Sequence, residues 1–213
     1  MKGVPLNDEL YKYIVNTFAA EDDILENVVR GTEAGNIPLI QVSPELGKLL
    51  HILVKMVNAK RVLEIGTLAG YSAIWMARAL EPGAKLTTLE ISKEHADFAR
   101  GNFKKAGLED KIELIYGNAM VSLDKLSGEK FDFCFLDADK TGYPAYYDKI
   151  ICMMNKGGVI AADNTLKNGN VISREPDEYI RAIQIYNQMV ADDPRVDSML
   201  IPISDGLTIC RVK

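Results

Sequence analysis

The sequence predicts an α/β fold: a mostly parallel sheet with helices on both faces, closed by an antiparallel hairpin. Three observations predict it. Beyond residue 60, short apolar runs alternate with longer segments of helical periodicity, and strand–helix–strand repeated this way builds a parallel sheet. The runs are nearly continuous in apolar residues, as strands buried on both faces require. The last two runs, 197–203 and 207–212, are separated by Ser204-Asp205-Gly206, a short turn that pairs them antiparallel.

Residues 1–60 read as a helical cap and 61–213 as the α/β core of one domain. Leu10, Ile14, Val15 and Phe18 recur at helical spacing, as do Leu46, Leu49, Leu50, Leu53, Val54 and Val57. Ser43 before Pro44 supplies an N-cap and a first-turn proline, and Glu45 adds favourable charge there. Strands are predicted over 61–65, 85–91, 112–116, 131–137 and 158–162. Helices are predicted over 71–80, 93–106, 120–126 and 143–154, and over 178–190 after Pro176. The segment 167–176, with Gly169 and Pro176, reads as flexible.

Length and composition set bounds. The chain has 213 residues, 47% hydrophobic and 26% charged, an ordinary globular composition. The net charge of −5 gives no broad basic footprint for nucleic acid. No apolar run is long enough to span a membrane, and residues 1–8 lack the basic-then-apolar layout of a signal peptide. Cys134, Cys152 and Cys210 match no metal-ligand spacing and read as reduced buried thiols of a cytoplasmic protein. His51 and His95 lie within helical stretches and read as packing or surface residues.

The chemistry concentrates where strands end. The first strand runs into Glu64-Ile65-Gly66-Thr67-Leu68-Ala69-Gly70-Tyr71-Ser72, a glycine turn of the kind that lets a ligand approach the backbone. Its G-x-x-x-G spacing misses the dinucleotide fingerprint, because Leu68 and Tyr71 stand where two further glycines belong. Glu90 closes the second strand, where an acid can accept from both ribose hydroxyls. A ribose without a pyrophosphate describes S-adenosylmethionine. Gly117-Asn118-Ala119 is placed to flank its adenine.

These residues, with Asp137-Ala138-Asp139-Lys140 and Asp163-Asn164, resemble the cation-dependent O-methyltransferases, which include catechol and caffeoyl-coenzyme A O-methyltransferases and a small bacterial branch. The resemblance runs from about Pro38 to the end. It implies a class I S-adenosylmethionine methyltransferase, a Rossmann-like fold whose seven-stranded sheet is ordered 3-2-1-4-5-7-6 with strand 7 antiparallel. It implies roles too. Glu64, Gly66 and Ser72 would line the methionine end of the cofactor, Val42 would meet its carboxylate, Glu90 its ribose and Ala119 its adenine. Asp137, Asp163 and Asn164 would bind a divalent metal, and Lys140 would be the catalytic base. A homodimer is also implied.

The donor types suit that chemistry. Asp137 follows the fourth strand and Asp163-Asn164 the fifth, and neighbouring parallel strands open their carboxyl ends onto one crevice. Two carboxylates and an amide are hard oxygen donors, matched to Mg²⁺, Mn²⁺ or Ca²⁺. Such an ion orients neighbouring hydroxyls and lowers the pKa of the one to be methylated. The expected acceptor is a catechol-like or other vicinal-dihydroxy small molecule, with a tRNA hydroxyuridine as the alternative. Asp139 could support Lys140 or the cofactor. Two positions depart from the family: Lys167 stands where many relatives carry tryptophan, and Asn118 where aspartate is common. A lysine there favours an acceptor bearing a carboxylate or phosphate.

Overall fold

The computed structural model describes residues 5–213, so the first four residues of the N-terminal reading lie outside it. The cap comprises α1 (Asp8–Phe18), α2 (Asp23–Ala34) and α3 (Pro44–Met56). Asn7 and Asp22 cap the first two helices by accepting from the amides of Leu10 and Leu25. Helix α3 starts where predicted, but Ser43 does not cap it with its side chain. Its hydroxyl instead donates to Glu45 Oε1 at 2.6 Å.

The core follows as β1 (Arg61–Ile65), α4 (Tyr71–Ala77), β2 (Lys85–Glu90), α5 (Lys93–Lys105), β3 (Ile112–Tyr116), α6 (Ala119–Lys125), β4 (Phe131–Leu136), α7 (Tyr143–Met153), β5 (Met154–Ala162), α8 (Glu178–Asp192), β6 (Val196–Ile201) and β7 (Leu207–Val212). The seven strands lie in the order β3-β2-β1-β4-β5-β7-β6. Pairing is parallel from β3 through β5, and β7 runs antiparallel to both β5 and β6. The predicted class, order and closing hairpin are therefore all present.

Alternation along the central strands builds two cores. Val62, Phe133, Phe135, Val159 and Ala161 face one way, onto α3, α4 and α5. Leu63, Ile65, Cys134, Leu136 and Ile160 face the other, onto α7 and α8. Because both faces are dry, these strands carry apolar residues at nearly every step, with Glu64 and Asp132 as interruptions, which is why they read as nearly continuous runs.

Four details differ from expectation. Strand β5 starts at Met154 rather than 158, and its register against β4 shifts between Phe131 and Phe133; Gly157, at φ 81°, makes the irregularity possible. The hairpin loop is longer than the three residues read from sequence, since Ile201 pairs with Leu207. Cys152 is exposed on α7, unlike buried Cys134 and Cys210. The stretch read as flexible holds a short 3₁₀ turn at Asn170–Ile172. The Gln184 amide donates to the carbonyls of Val171 and Ser173. Among the described residues no helix is long and apolar enough to cross a membrane.

Candidate active site

The sheet ladder continues one residue past the strands. Gly66 N donates to Leu89 O at 3.0 Å, Asp137 N to Ile65 O at 2.9 Å, and Asp163 N to Leu136 O at 3.1 Å. The carboxyl ends of β1, β2, β4 and β5 thus deliver Gly66, Glu90, Asp137 and Asp163-Asn164 along one line. A cleft of about 800 Å³ opens there, the size that encloses a small organic ligand. From the predicted cofactor set, Val42, Gly66, Ser72, Glu90 and Ala119 line it; from the metal-and-base set, Asp137, Lys140 and Asn164 do. Glu64 and Asp163 sit behind the wall, at 0% and 3% exposure.

The glycines of the turn serve the protein's own packing. Gly66 has φ 98°, and a Cβ there would lie 2.0 Å from the Asp137 carbonyl oxygen. Gly70 has φ 84°, and its Cβ would meet the Phe103 ring at 2.3 Å. The turn can cross β4 and dock on α5 only without side chains at these points. Glu90 then holds the turn's amides. Its Oε2 accepts from Thr67 N at 3.2 Å and Leu68 N at 2.8 Å, and its Oε1 from Ser92 N at 2.8 Å.

Glu64 is braced in the same manner. Ser72 Oγ donates to its Oε1 and Thr88 Oγ1 to its Oε2, each at 2.6 Å. Burial pushes this carboxyl up to about 8, against the pull of the two hydroxyls and with a smaller push from Asp137 and Glu90. Sequence reasoning missed Thr88, a polar residue facing inward from a strand. It also set aside His95, which lines the cleft with Nδ1 3.7 Å from Glu90 Oε1. His51 is a packing residue as expected, edge-on to Trp75 with Nδ1 3.1 Å from the Trp75 carbonyl oxygen.

On the other side, Lys140 is 4% exposed. Its Nζ donates to Asp137 Oδ1 at 2.6 Å and to Tyr143 Oη at 2.7 Å. The Tyr143 hydroxyl lies 3.0 Å from the carbonyl oxygens of Leu136 and Asp163 and donates toward them. Burial, with the charges of Asp137 and Asp163, pushes Tyr143 well above the ordinary tyrosine range, so it stays a neutral donor. Burial and then the charge of Asp137 push Asp163 up to about 7. Asp163 Oδ1 is buried without a hydrogen-bond partner.

Among the described residues no three His, Cys, Asp or Glu side chains gather as a metal cluster. The candidate set is two carboxylates and the Asn164 amide. An orphaned buried carboxylate oxygen beside a second acid is a charge arrangement that a hard divalent cation relieves, and these donors fit one. The Asp139 carboxylate makes no hydrogen bond to Lys140 Nζ, which pairs with Asp137 and Tyr143. Asp139 accepts from Gly142 N at 3.0 Å and from Tyr146 Oη at 2.6 Å, so it shapes a 3₁₀ turn at Lys140–Gly142 and aims Tyr146. Tyr146 and Tyr179 line the cleft, as does Lys167. Sequence reasoning missed both tyrosines; Tyr146, six residues beyond Lys140 on the helix that starts at Tyr143, was the more findable.

A family model described as O-methyltransferase matches residues 15–213. Catechol O-methyltransferase of Mycobacterium tuberculosis is 36% identical over 201 residues, covering 94% of this chain and 91% of that protein. Caffeoyl-CoA O-methyltransferase of Stellaria longipes is 33% identical over 222 residues, covering 98% and 92%. The crystal structure of an O-methyltransferase from Bacillus cereus in complex with SAH superposes with a TM-score of 0.91 at 37% identity, covering 95% and 96% of the two chains. With the sheet order, the glycine turn and the strand-end acids in place, these likenesses make the chain a member of the O-methyltransferase family and an S-adenosylmethionine-dependent enzyme.

Proposed function

We propose that this enzyme depends on a divalent cation and methylates a hydroxyl of a catechol-like or other vicinal-dihydroxy small molecule. The observation that carries the reading is the pairing of Asp137 and Asp163 at adjacent strand ends, one oxygen orphaned, beside buried Lys140. The cofactor's methionine end lies against Gly66 and Ser72, with Glu64 behind Ser72 fixing that hydroxyl. Its carboxylate meets Val42, its ribose Glu90 and its adenine Ala119. The acceptor occupies the side bounded by Lys140, Asn164 and the tyrosines.

Asp137, Asp163 and Asn164 would hold the cation, which would supply positive charge to the site and favour the ionised hydroxyl. Lys140 Nζ takes the hydroxyl proton, while Tyr143 and Asp137 fix its position. An acceptor oxygen lone pair forms the new bond to the sulfonium methyl carbon, the carbon–sulfur bond breaks, and sulfur keeps the pair. The charge on sulfur is lost as the ether forms, so the transition state disperses charge and gains most from orientation.

The test is methyl transfer from labelled S-adenosylmethionine to a panel of catechols, with Mg²⁺ and with excess chelator. Transfer that disappears with chelator and returns with Mg²⁺ is the expected result. Transfer that persists under chelation would make Asp137 and Asp163 structural residues. No observation favours the tRNA acceptor: Lys140 and Lys167 are the lysines of the cleft wall, and Lys140 is engaged by Asp137.

A further inference from the structure

Most of the charge around the cleft is matched inside the protein. Glu90 accepts from three backbone amides. Asp139 is held by Tyr146 and Gly142, and Lys140 by Asp137. Asp205 accepts from Asn168 N. Among these charged side chains, Lys167 is the exception. It is half-buried on the cleft wall, and among the described residues its ammonium makes no ion pair. Its Nζ lies instead over the Tyr179 ring, 4.9 Å from the centroid. That is a cation–π contact, which holds the group in place without neutralising it.

The backbone beneath it is fixed as well. Lys167 and Asn168 both adopt left-handed conformations, at φ 48° and 51°. The hairpin loop pins them: Leu166 N donates to Asp205 O at 2.9 Å, Thr165 N to Gly206 O at 3.0 Å, and Asn168 N to the Asp205 side chain. A non-glycine residue is kept in this strained region only when its surroundings dictate it. Lys167 therefore projects from a set position three residues beyond Asn164, over the cleft-lining Tyr179.

We infer that Lys167 is a specificity-determining residue that binds an anionic substituent of the methyl acceptor, so that the preferred substrate is a vicinal-dihydroxy aromatic carrying a carboxylate. This rests on the proposed function above. The ring packs by Tyr146 and Tyr179, the hydroxyls reach Lys140 and the strand-end acids, and the carboxylate meets the unmatched ammonium. Such a charge-assisted contact in a half-buried site contributes about 10-fold in affinity.

The test compares protocatechuate, a catechol bearing a carboxylate, with its neutral methyl ester. Each is assayed with S-adenosylmethionine and Mg²⁺ in the wild type, Lys167→Met and Lys167→Arg. Binding of both to the enzyme saturated with S-adenosylhomocysteine is measured alongside. The wild type is expected to favour the acid over the ester by about 10-fold in kcat/KM, carried by KM. Lys167→Met abolishes the preference, and Lys167→Arg restores it. Equal use and equal binding of acid and ester by the wild type, or the same acid-to-ester ratio in Lys167→Met, would overturn this inference alone. Failure of the wild type to bind or methylate either compound would overturn the vicinal-dihydroxy reading, and this inference with it.

Discussion

The two sides of the cleft match their charges differently. On the glycine-turn side, Glu64 and Glu90 are saturated by the protein itself, the first by two hydroxyls and the second by three amides. On the strand-end side, Asp163 keeps an orphaned oxygen and Lys167 has no counter-ion among the described residues. A saturated wall is built before its ligand arrives and loses little on binding it. An unsaturated wall stores unfavourable electrostatics that a ligand must relieve. The glycine-turn wall is therefore finished, and the strand-end wall is unfinished; on the proposed function the cofactor would enter the first, and a cation and acceptor would complete the second.

The largest effect that can break this comparison is at Lys140. If its ammonium only neutralises Asp137, Lys140→Met should weaken folding more than turnover. If it carries the acceptor proton, kcat falls by about 10³-fold while S-adenosylmethionine affinity stays within about 3-fold. We expect the second outcome. Turnover and a cofactor titration on one preparation separate the two. A variant within about tenfold of wild-type kcat would remove Lys140 from the proton transfer.

A smaller effect sharpens the saturated side. Burial holds the Glu64 carboxyl up near 8 rather than its ordinary 4.5. Between those values the folded state keeps a proton that the unfolded chain releases. Stability from this residue is therefore present at low pH and lost as pH rises through that window. Glu64→Gln removes the titration and leaves the side chain room to pair with Ser72 and Thr88. Thermal unfolding from pH 4.5 to 8 should show the wild type declining more steeply than the variant, by the slope of one proton. Parallel curves would mean that the two hydroxyls offset burial and that Glu64 titrates normally.

The saturated side was also the harder one to read in the sequence. The fold was legible because both faces of the central strands are buried, which left nearly continuous apolar runs, and because Ser204-Asp205-Gly206 marked the hairpin. The strand-end acids were legible because they stand directly after those runs. The partners were not. Thr88 meets Glu64 across 24 positions of chain, and Phe103 lies against Gly70. Such contacts exist only once β2 and α5 have docked, and local pattern carries no trace of them. The two glycines illustrate the cost. Sequence suggests room for a ligand, whereas the structure shows room for the Asp137 carbonyl and an aromatic ring. Lys167 and Tyr179 likewise meet only after the loop beyond β5 folds against α8.

The smallest expected effect lies at Asn118, on the rim of the saturated side. Its Oδ1 accepts from Val121 N at 3.3 Å and caps α6, and the residue lines the cleft. Asparagine and aspartate are equally good N-caps, and a negative charge at a helix N-terminus adds a few tenths of a kcal/mol. Asn118→Asp should therefore fold as well as the wild type or slightly better. An adenine beside Ala119 can donate to either side chain, so S-adenosylmethionine affinity should change by less than about 3-fold. Calorimetric titration of the variant measures this directly. A loss beyond about tenfold would show that the amide's own N–H groups grip the cofactor. The saturated wall would then have an unmatched group of its own, and the contrast between the two sides would be one of degree.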